Sequence, residues 1–442
     1  MRSVRLTLFI GLAVGFLLTG CTSVSEPAEE EAVIKVLYES RAAYEWDFQN
    51  MVKAKFPHIT VEVMEYAPIF KPGEPLYDSF TAYIDEHRPD LISIPSSISG
   101  SLSRMVEEQR LLPLDPYILR DQYDVGGLLE GPVEQIRAAG EGQLYALPLS
   151  FTGEALYINT GLFDKLNIAY PAGSMTYREI MQLSERFAGA EDVYGFSKAE
   201  LSPVSILLQL GENEGLDWLT PSGDRVVFHT KGWKEVFESW MQVMDKYVIF
   251  DASEHRNSQS NGLPRPPYDP FLEGKSAMTV MDPSYIGTLR QQAPDLQWKV
   301  IGGPVKGSQR NVSSSMKPAT MLAIHAESAV QEAAWEVLAF MNSEETARLK
   351  SRVSNGRFSH LPIRKAFIQE DLAGAYTGLE ADMDKLSVYR EPADYLEAVL
   401  KDLIEEEMRL AADKTVEQML TSIEDKANAK LLEYTTKTGV NQ

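Results

Sequence analysis

The chain has 442 residues, a formal net charge of −22 and one cysteine, Cys21. Its length predicts two or three domains, and the lone thiol excludes an intramolecular disulfide and any metal site built from paired thiolates. The acidic balance argues against nucleic acid and anionic lipid as partners.

Arg2 and Arg5 precede an apolar run over residues 6–18 that is too short to cross a bilayer comfortably, so residues 1–20 read as a secretory leader. Leu18-Thr19-Gly20-Cys21 resembles the lipobox of bacterial lipoproteins. That resemblance implies cleavage before Cys21, a diacylglyceryl group on its thiol, and a chain anchored by lipid on the outer side of the cell membrane. Residues 21–32 are polar and rich in glutamate, with too little apolar surface to offset ordering, and read as a flexible tether.

From Val33 the pattern becomes α/β. Val33-Ile34-Lys35-Val36-Leu37-Tyr38 predicts a buried strand. Tyr44, Phe48, Met51, Val52 and Phe56 recur at helical spacing, Pro57 closes the helix, and residues 59–63 alternate as a second strand. This is the βαβ unit of a parallel sheet. Another strand is predicted at 90–94, with a helix at 102–109, strands near 142–151 and 155–159, and helices at 177–187, 204–210 and 233–247. Residues 251–269, with three prolines, read as a mobile loop. Strands are expected within 271–281, 300–305 and 319–324, and helices at 328–342, 396–410 and 416–432. The glutamates at 405–407 read as a solvated helix face.

Motifs for common chemistries are missing. Gly274-Lys275-Ser276 ends like a phosphate-binding loop, but Asp269 stands where that motif needs its first glycine. The six histidines never fall four apart, and neither a Gly-x-Ser-x-Gly elbow nor a glycine-rich dinucleotide fingerprint occurs. No catalytic residue, cofactor or metal is therefore assigned.

Several segments in order resemble the type 1 extracellular solute-binding proteins, whose best-known branch is maltose-binding. They are the strand at 33–38, Pro89-Asp90-Leu91, Leu112-Pro113-Leu114-Asp115, Tyr145-Ala146-Leu147-Pro148 followed by Leu156-Tyr157-Ile158-Asn159, Phe271 to Met278, and the helix Ala333 to Phe340. The likeness implies a two-lobed, type II periplasmic-binding-protein-like fold, each lobe a mostly parallel sheet flanked by helices, joined by hinge crossovers. The N-terminal lobe would hold 33–148 plus 304–343 and the C-terminal lobe 149–303 plus 344–442, with hinges near 149–151 and 302–303. Glycines at 302 and 303 would absorb the dihedral change of closure.

Ligands of open α/β sheets sit beyond the carboxyl ends of strands. Glu39, Ser40 and Arg41 follow the first strand and offer an acceptor, a hydroxyl and a guanidinium; Ser40 reads equally as a helix cap. Ser96 and Ser97 follow another strand, as ligand contacts or as a plain turn. Ser150, Phe151 and Glu154 bracket the first hinge, and Glu154 falls near a ligand-binding glutamate of the maltose-binding relatives, one residue out of register. Asp282-Pro283-Ser284-Tyr285 resembles a turn that presents an aromatic ring to the sugar, so Tyr285 is the favoured stacking residue. Trp218 is either a cleft aromatic or packing.

The function implied is an extracytoplasmic, lipid-anchored receptor that binds a sugar or oligosaccharide by hinge closure and delivers it to an ABC importer. Expected partners are the small solute, carbohydrate before polyamine, phosphate ester or metal chelate, the importer permease, and the membrane through the lipid; the receptor is expected to be a monomer. Two alternatives stay open: an extracytoplasmic glycosidase using two of the 64 carboxylates, and a solute sensor read by a membrane kinase.

Overall fold

In the computed structural model, the residues described are 31–70, 76–95, 98, 100–198, 202–246, 248–251, 268–353, 361–383, 393–410 and 414–438. The leader, Cys21, most of the tether, Ser96, Ser97 and all but the ends of the loop read at 251–269 lie outside them. Among the described residues, no helix is long and apolar enough to cross a membrane.

The strands are β1 (Ala32–Tyr38), β2 (Ile59–Glu65), β3 (Leu91–Pro95), β4 (Ala146–Thr152), β5 (Ala155–Asn159), β6 (Met278–Met281), β7 (Trp298–Ile301), β8 (Val312–Ser313), β9 (Lys317–Ile324), β10 (Leu361–Pro362) and β11 (Glu380–Ala381). A six-stranded sheet has the order β10-β4-β9-β3-β1-β2, a three-stranded sheet the order β6-β5-β7, and β8 pairs with β11 in a short ribbon. Within the six-stranded sheet β2-β1-β3 run parallel, and the β8-β11 ribbon is parallel as well. β9 runs antiparallel to both β3 and β4, and β5 antiparallel to both β6 and β7.

The α/β class stands, but the sheets are mixed rather than mostly parallel. The reason lies in the crossovers: β5 enters its sheet from the first lobe and β9 enters its sheet from the second, and each inserts between strands that run the other way. An alternation pattern cannot reveal this, because it reports which face is apolar and not which neighbour a strand takes.

Burial explains the strands. All five positions of β3 are buried, so its apolar run Leu-Ile-Ser-Ile-Pro is covered on both faces, whereas β2 at the sheet edge mixes buried with exposed positions. The helical stretch after β1 runs from Arg41 to Lys55 with a π-helical turn at Glu45–Gln49. β10 pairs with β4, and Leu361, Ile363, Leu372 and Tyr376 pack into the first core. The second core is dominated by helices: Tyr177–Ser184, Pro203–Asn213 and Lys231–Asp245 pack with Ala393–Arg409 and Val416–Thr438 around β5 and β6.

Glu407 departs from the expected solvated face. It is fully buried between the last two helices, accepting from Lys414, Ser422 and Lys426. Burial pushes its carboxyl up, but these donors outweigh burial and hold it down at about 2. The run of three glutamates reads as a solvated face, but the second helix of the hairpin covers Glu407.

Candidate functional site

β4 runs into β5 through Gly153 and Glu154, and the chain returns from β7 to β9 beside them. Gly153 is a close-packing glycine: a Cβ there would lie 3.0 Å from the Tyr376 ring and 3.3 Å from Met316 Cα. At Gly303 a Cβ would stand 2.1 Å from the Glu154 carbonyl oxygen. Close approach of the two crossovers therefore demands glycine at 303, whatever freedom closure requires. The Glu154 amide donates to Ser315 Oγ at 2.8 Å, which ties the crossovers together again.

A cavity of about 360 Å³ opens here, lined by both crossovers, the β6 terminus and two helices of the second core. Its central group is Glu154. Oε2 accepts from the Tyr177 hydroxyl at 2.8 Å and Oε1 from Lys198 Nζ at 2.5 Å. Lys198 Nζ also reaches Gln209 Oε1 at 3.2 Å and the Tyr177 oxygen at 3.3 Å. A nearly buried ammonium has three hydrogens to satisfy, and three oxygens surround this one.

Local sequence fixes these partners. Thr176 and Glu179 form a reciprocal capping box, which seats Tyr177 in the first turn of its helix. Ser202 caps the helix that carries Gln209 and Asn213. Burial, and then the charge of Glu154, push the Tyr177 phenol well above its ordinary value, so it remains a proton donor.

A second ion pair lies on the wall, Lys306 Nζ to Asp382 Oδ1 at 2.7 Å, with the Asp382 carbonyl held by Gln135 Nε2 at 2.7 Å. Asp282 follows β6, and its Oδ1 accepts from the Ser284 amide at 2.8 Å. Asn213 Oδ1 accepts from the Tyr177 amide at 3.3 Å, while the Asn213 amide nitrogen is buried without a partner. Fixed donors and acceptors thus surround a space that can hold a polar guest. Among the described residues, no three metal-ligating side chains cluster.

Of the residues singled out by sequence, Glu154 and Asp282 line this cavity. Glu39 is exposed after β1. Ser40 caps the following helix through the Ala43 amide at 3.1 Å, the capping alternative. Arg41 is spent on β2: its guanidinium donates to the Val63 carbonyl at 2.7 Å and its amide to Glu65 at 2.6 Å.

Ser150 lies in β4 opposite Pro362, beside a separate small cavity near Asn342 and Arg364. Phe151 is fully buried and meets Tyr376 edge-on at 5.2 Å. Trp218 packs in the second core. Tyr285, expected at the ligand, is 4 % exposed; its hydroxyl donates to Asp269 Oδ2 at 2.5 Å and its ring meets Tyr157 edge-on at 5.3 Å. The turn at 282–284 faces the cavity only through Asp282, because the helix that follows turns its first residue inward against Tyr157 and Phe271.

Sequence reading missed Tyr177, Lys198, Gln209, Lys306 and Asp382. A capping box pointed to the position of Tyr177, but nothing in the local pattern around Lys198 or Asp382 distinguishes them from surface charges.

The sequence model for bacterial extracellular solute-binding proteins matches residues 44–348. Comparison with curated protein sequences gives no match. Among solved structures, a sugar transporter from Rhizobium etli in an open conformation is similar with a TM-score of 0.65 at 17% identity, covering 90% of this chain and 99% of that one. The sugar-binding protein MalE from Xanthomonas citri gives 0.64 at 14% identity, covering 93% and 100%. An ABC substrate-binding protein from Listeria monocytogenes in complex with cycloalternan gives 0.59 at 18% identity, covering 91% and 99%. At these identities the likeness establishes a shared two-lobed fold.

Proposed function

The chain belongs to the bacterial extracellular solute-binding proteins, a family of binding proteins and not of enzymes, and on that premise we propose that it captures a sugar or oligosaccharide for an ABC importer. The observation that carries this reading is the polar cavity at the crossovers, where Glu154, Lys198, Asp282 and Lys306 converge from segments far apart in sequence. The sugar-binding neighbours support the ligand class.

In this reading the first lobe comprises 33–148, 317–341 and 361–381, the last of which the sequence expectation gives to the second lobe, and the second lobe comprises 155–301 with the C-terminal helices. A ligand shifts the lobes toward closure only by contacting the closed form better, and groups on the crossovers and both lobes supply that difference. The importer permease then reads the closed monomer. Cys21 carries the lipid that keeps the receptor at the outer face of the membrane.

Thermal unfolding against a sugar panel tests the receptor reading: one class should raise the melting temperature, as linkage requires. A flat response to every sugar, with an unchanged scattering envelope at saturation, would overturn it. Cys21→Ser should move the protein from the membrane fraction to the soluble one; retention in membranes removes the lipid anchor.

A further inference from the structure

The walls of the crossover cavity hold few rings. Tyr177 is the one aromatic residue among its described lining, its hydroxyl is engaged by Glu154, and the Lys198 ammonium lies 5.8 Å from its ring centroid. The two aromatics that sequence offered as stacking platforms, Trp218 and Tyr285, are committed to cores. The volume, about 360 Å³, sits near the low end of the roughly 300–1,000 Å³ of small-molecule sites.

Hydrogen-bonding capacity is plentiful by contrast. Glu154 is clamped by Lys198 and Tyr177, one bond to each oxygen, which leaves further lone pairs on a carboxylate that cannot swing away. Asp282 keeps acceptor capacity beyond its bond to the Ser284 amide. Lys306 has hydrogens beyond the one directed at Asp382, Ser315 accepts from Glu154 with its own O–H available, and the Asn213 amide nitrogen lacks a partner. Adjacent fixed donors and acceptors match vicinal diols, in which each hydroxyl both gives and takes. Oligosaccharide binding grows ring by ring through stacking of C–H faces on aromatics, and the described lining of this cavity presents no series of rings for it.

We infer that the cavity selects a compact hydroxyl-rich solute, one or two sugar rings or an open-chain polyol, held through its hydroxyls by Glu154, Asp282 and Lys306 rather than an oligosaccharide stacked on rings. This rests on the receptor reading above and narrows it. Glu154 is the anchoring acceptor, and Lys198 is a positioning residue that holds it.

The test is calorimetric titration of the full mature chain with matched series: glucose, maltose and maltohexaose; xylose, xylobiose and xylohexaose; and mannitol. The expected result is that the tightest member has one or two rings or is the polyol, and binds at least tenfold more tightly than any six-ring sugar. Lys306→Met in an Asp382→Asn background, which removes the ion pair without leaving a buried carboxylate unpaired, should weaken that member at least tenfold relative to Asp382→Asn alone. Affinity that climbs from two rings to six overturns the inference while leaving the receptor reading intact, as does equal affinity in the double variant and Asp382→Asn. Binding of nothing in the panel overturns the receptor reading and the inference with it.

Discussion

In the first core the large buried side chains come from a sheet with both faces covered: β3 is buried throughout, and β1, β4 and β9 add Val36, Leu147 and Leu322. In the second core β5 is as buried as β3, but most of the mass is helical, with Trp233 and Trp240 on one helix and the C-terminal hairpin closing over them. The polar machinery follows the second pattern. Tyr177, Gln209 and Asn213 stand on helices of that core, Glu154 and Lys306 on the crossovers, and neither Glu39 nor Arg41 at the first sheet's β1 terminus lines the cavity. A sheet edge offers backbone and a few loop residues, whereas helix ends can be capped and aimed, and this is why most side chains lining the cavity stand on the helices of the second core and on the crossovers.

The largest expected effect comes from moving an aromatic between core and cavity. If Tyr285 is core, Tyr285→Ala should destabilise the unliganded protein by about 4 kcal/mol in urea unfolding. Unchanged apo stability with a specific loss of ligand would place the ring back in the cleft. Next is Lys198→Met, which leaves Glu154 and Gln209 facing an uncompensated space. A loss of about 3 kcal/mol is expected, with Lys198→Arg restoring part of both stability and ligand affinity; equal stability of Lys198→Met would mean that water replaces the ammonium.

The C-terminal hairpin sharpens the comparison through pH. The folded Glu407 carboxyl is held at about 2, below its ordinary value, so its contribution is present above the unfolded value and is lost as pH falls from about 4.5 toward 2. Half-exposed lysines screen the pair, so Glu407→Gln should remove on the order of 2 kcal/mol at neutral pH and flatten the acid limb of the stability profile. An unaltered acid limb would show that the hairpin contributes nothing through this group. The smallest effect is predicted for Arg41→Ala: a change within about 0.5 kcal/mol and unaltered affinity, measured by the same unfolding and calorimetric curves. A large loss of affinity would bring the β1 terminus into the site after all.

Much of the architecture was legible along the chain because local patterns report local facts. Periodicity located β1, β2, β3, β5, β9 and the main helices to within a few residues, since a strand covered on both faces must be apolar and a half-covered helix must repeat. Glu154 and Asp282, which line the crossover cavity, were singled out by resemblance to the maltose-binding relatives, while the strand-end argument pointed to Glu39, Ser40 and Arg41, which do not line it.

Sequence by itself thus determined which segments are strands and helices, the α/β class and the acidic, single-cysteine character of the chain. Tertiary structure alone decided that β5 and β9 insert antiparallel, that Tyr285 and Glu407 turn inward, and that Lys198 meets Glu154 across 44 residues while Asp382 meets Lys306 across the crossover. The physical reason is that a side chain's own neighbours in sequence set its conformation, whereas the partner of a buried charge is set by whichever distant element the packed cores bring within hydrogen-bonding reach.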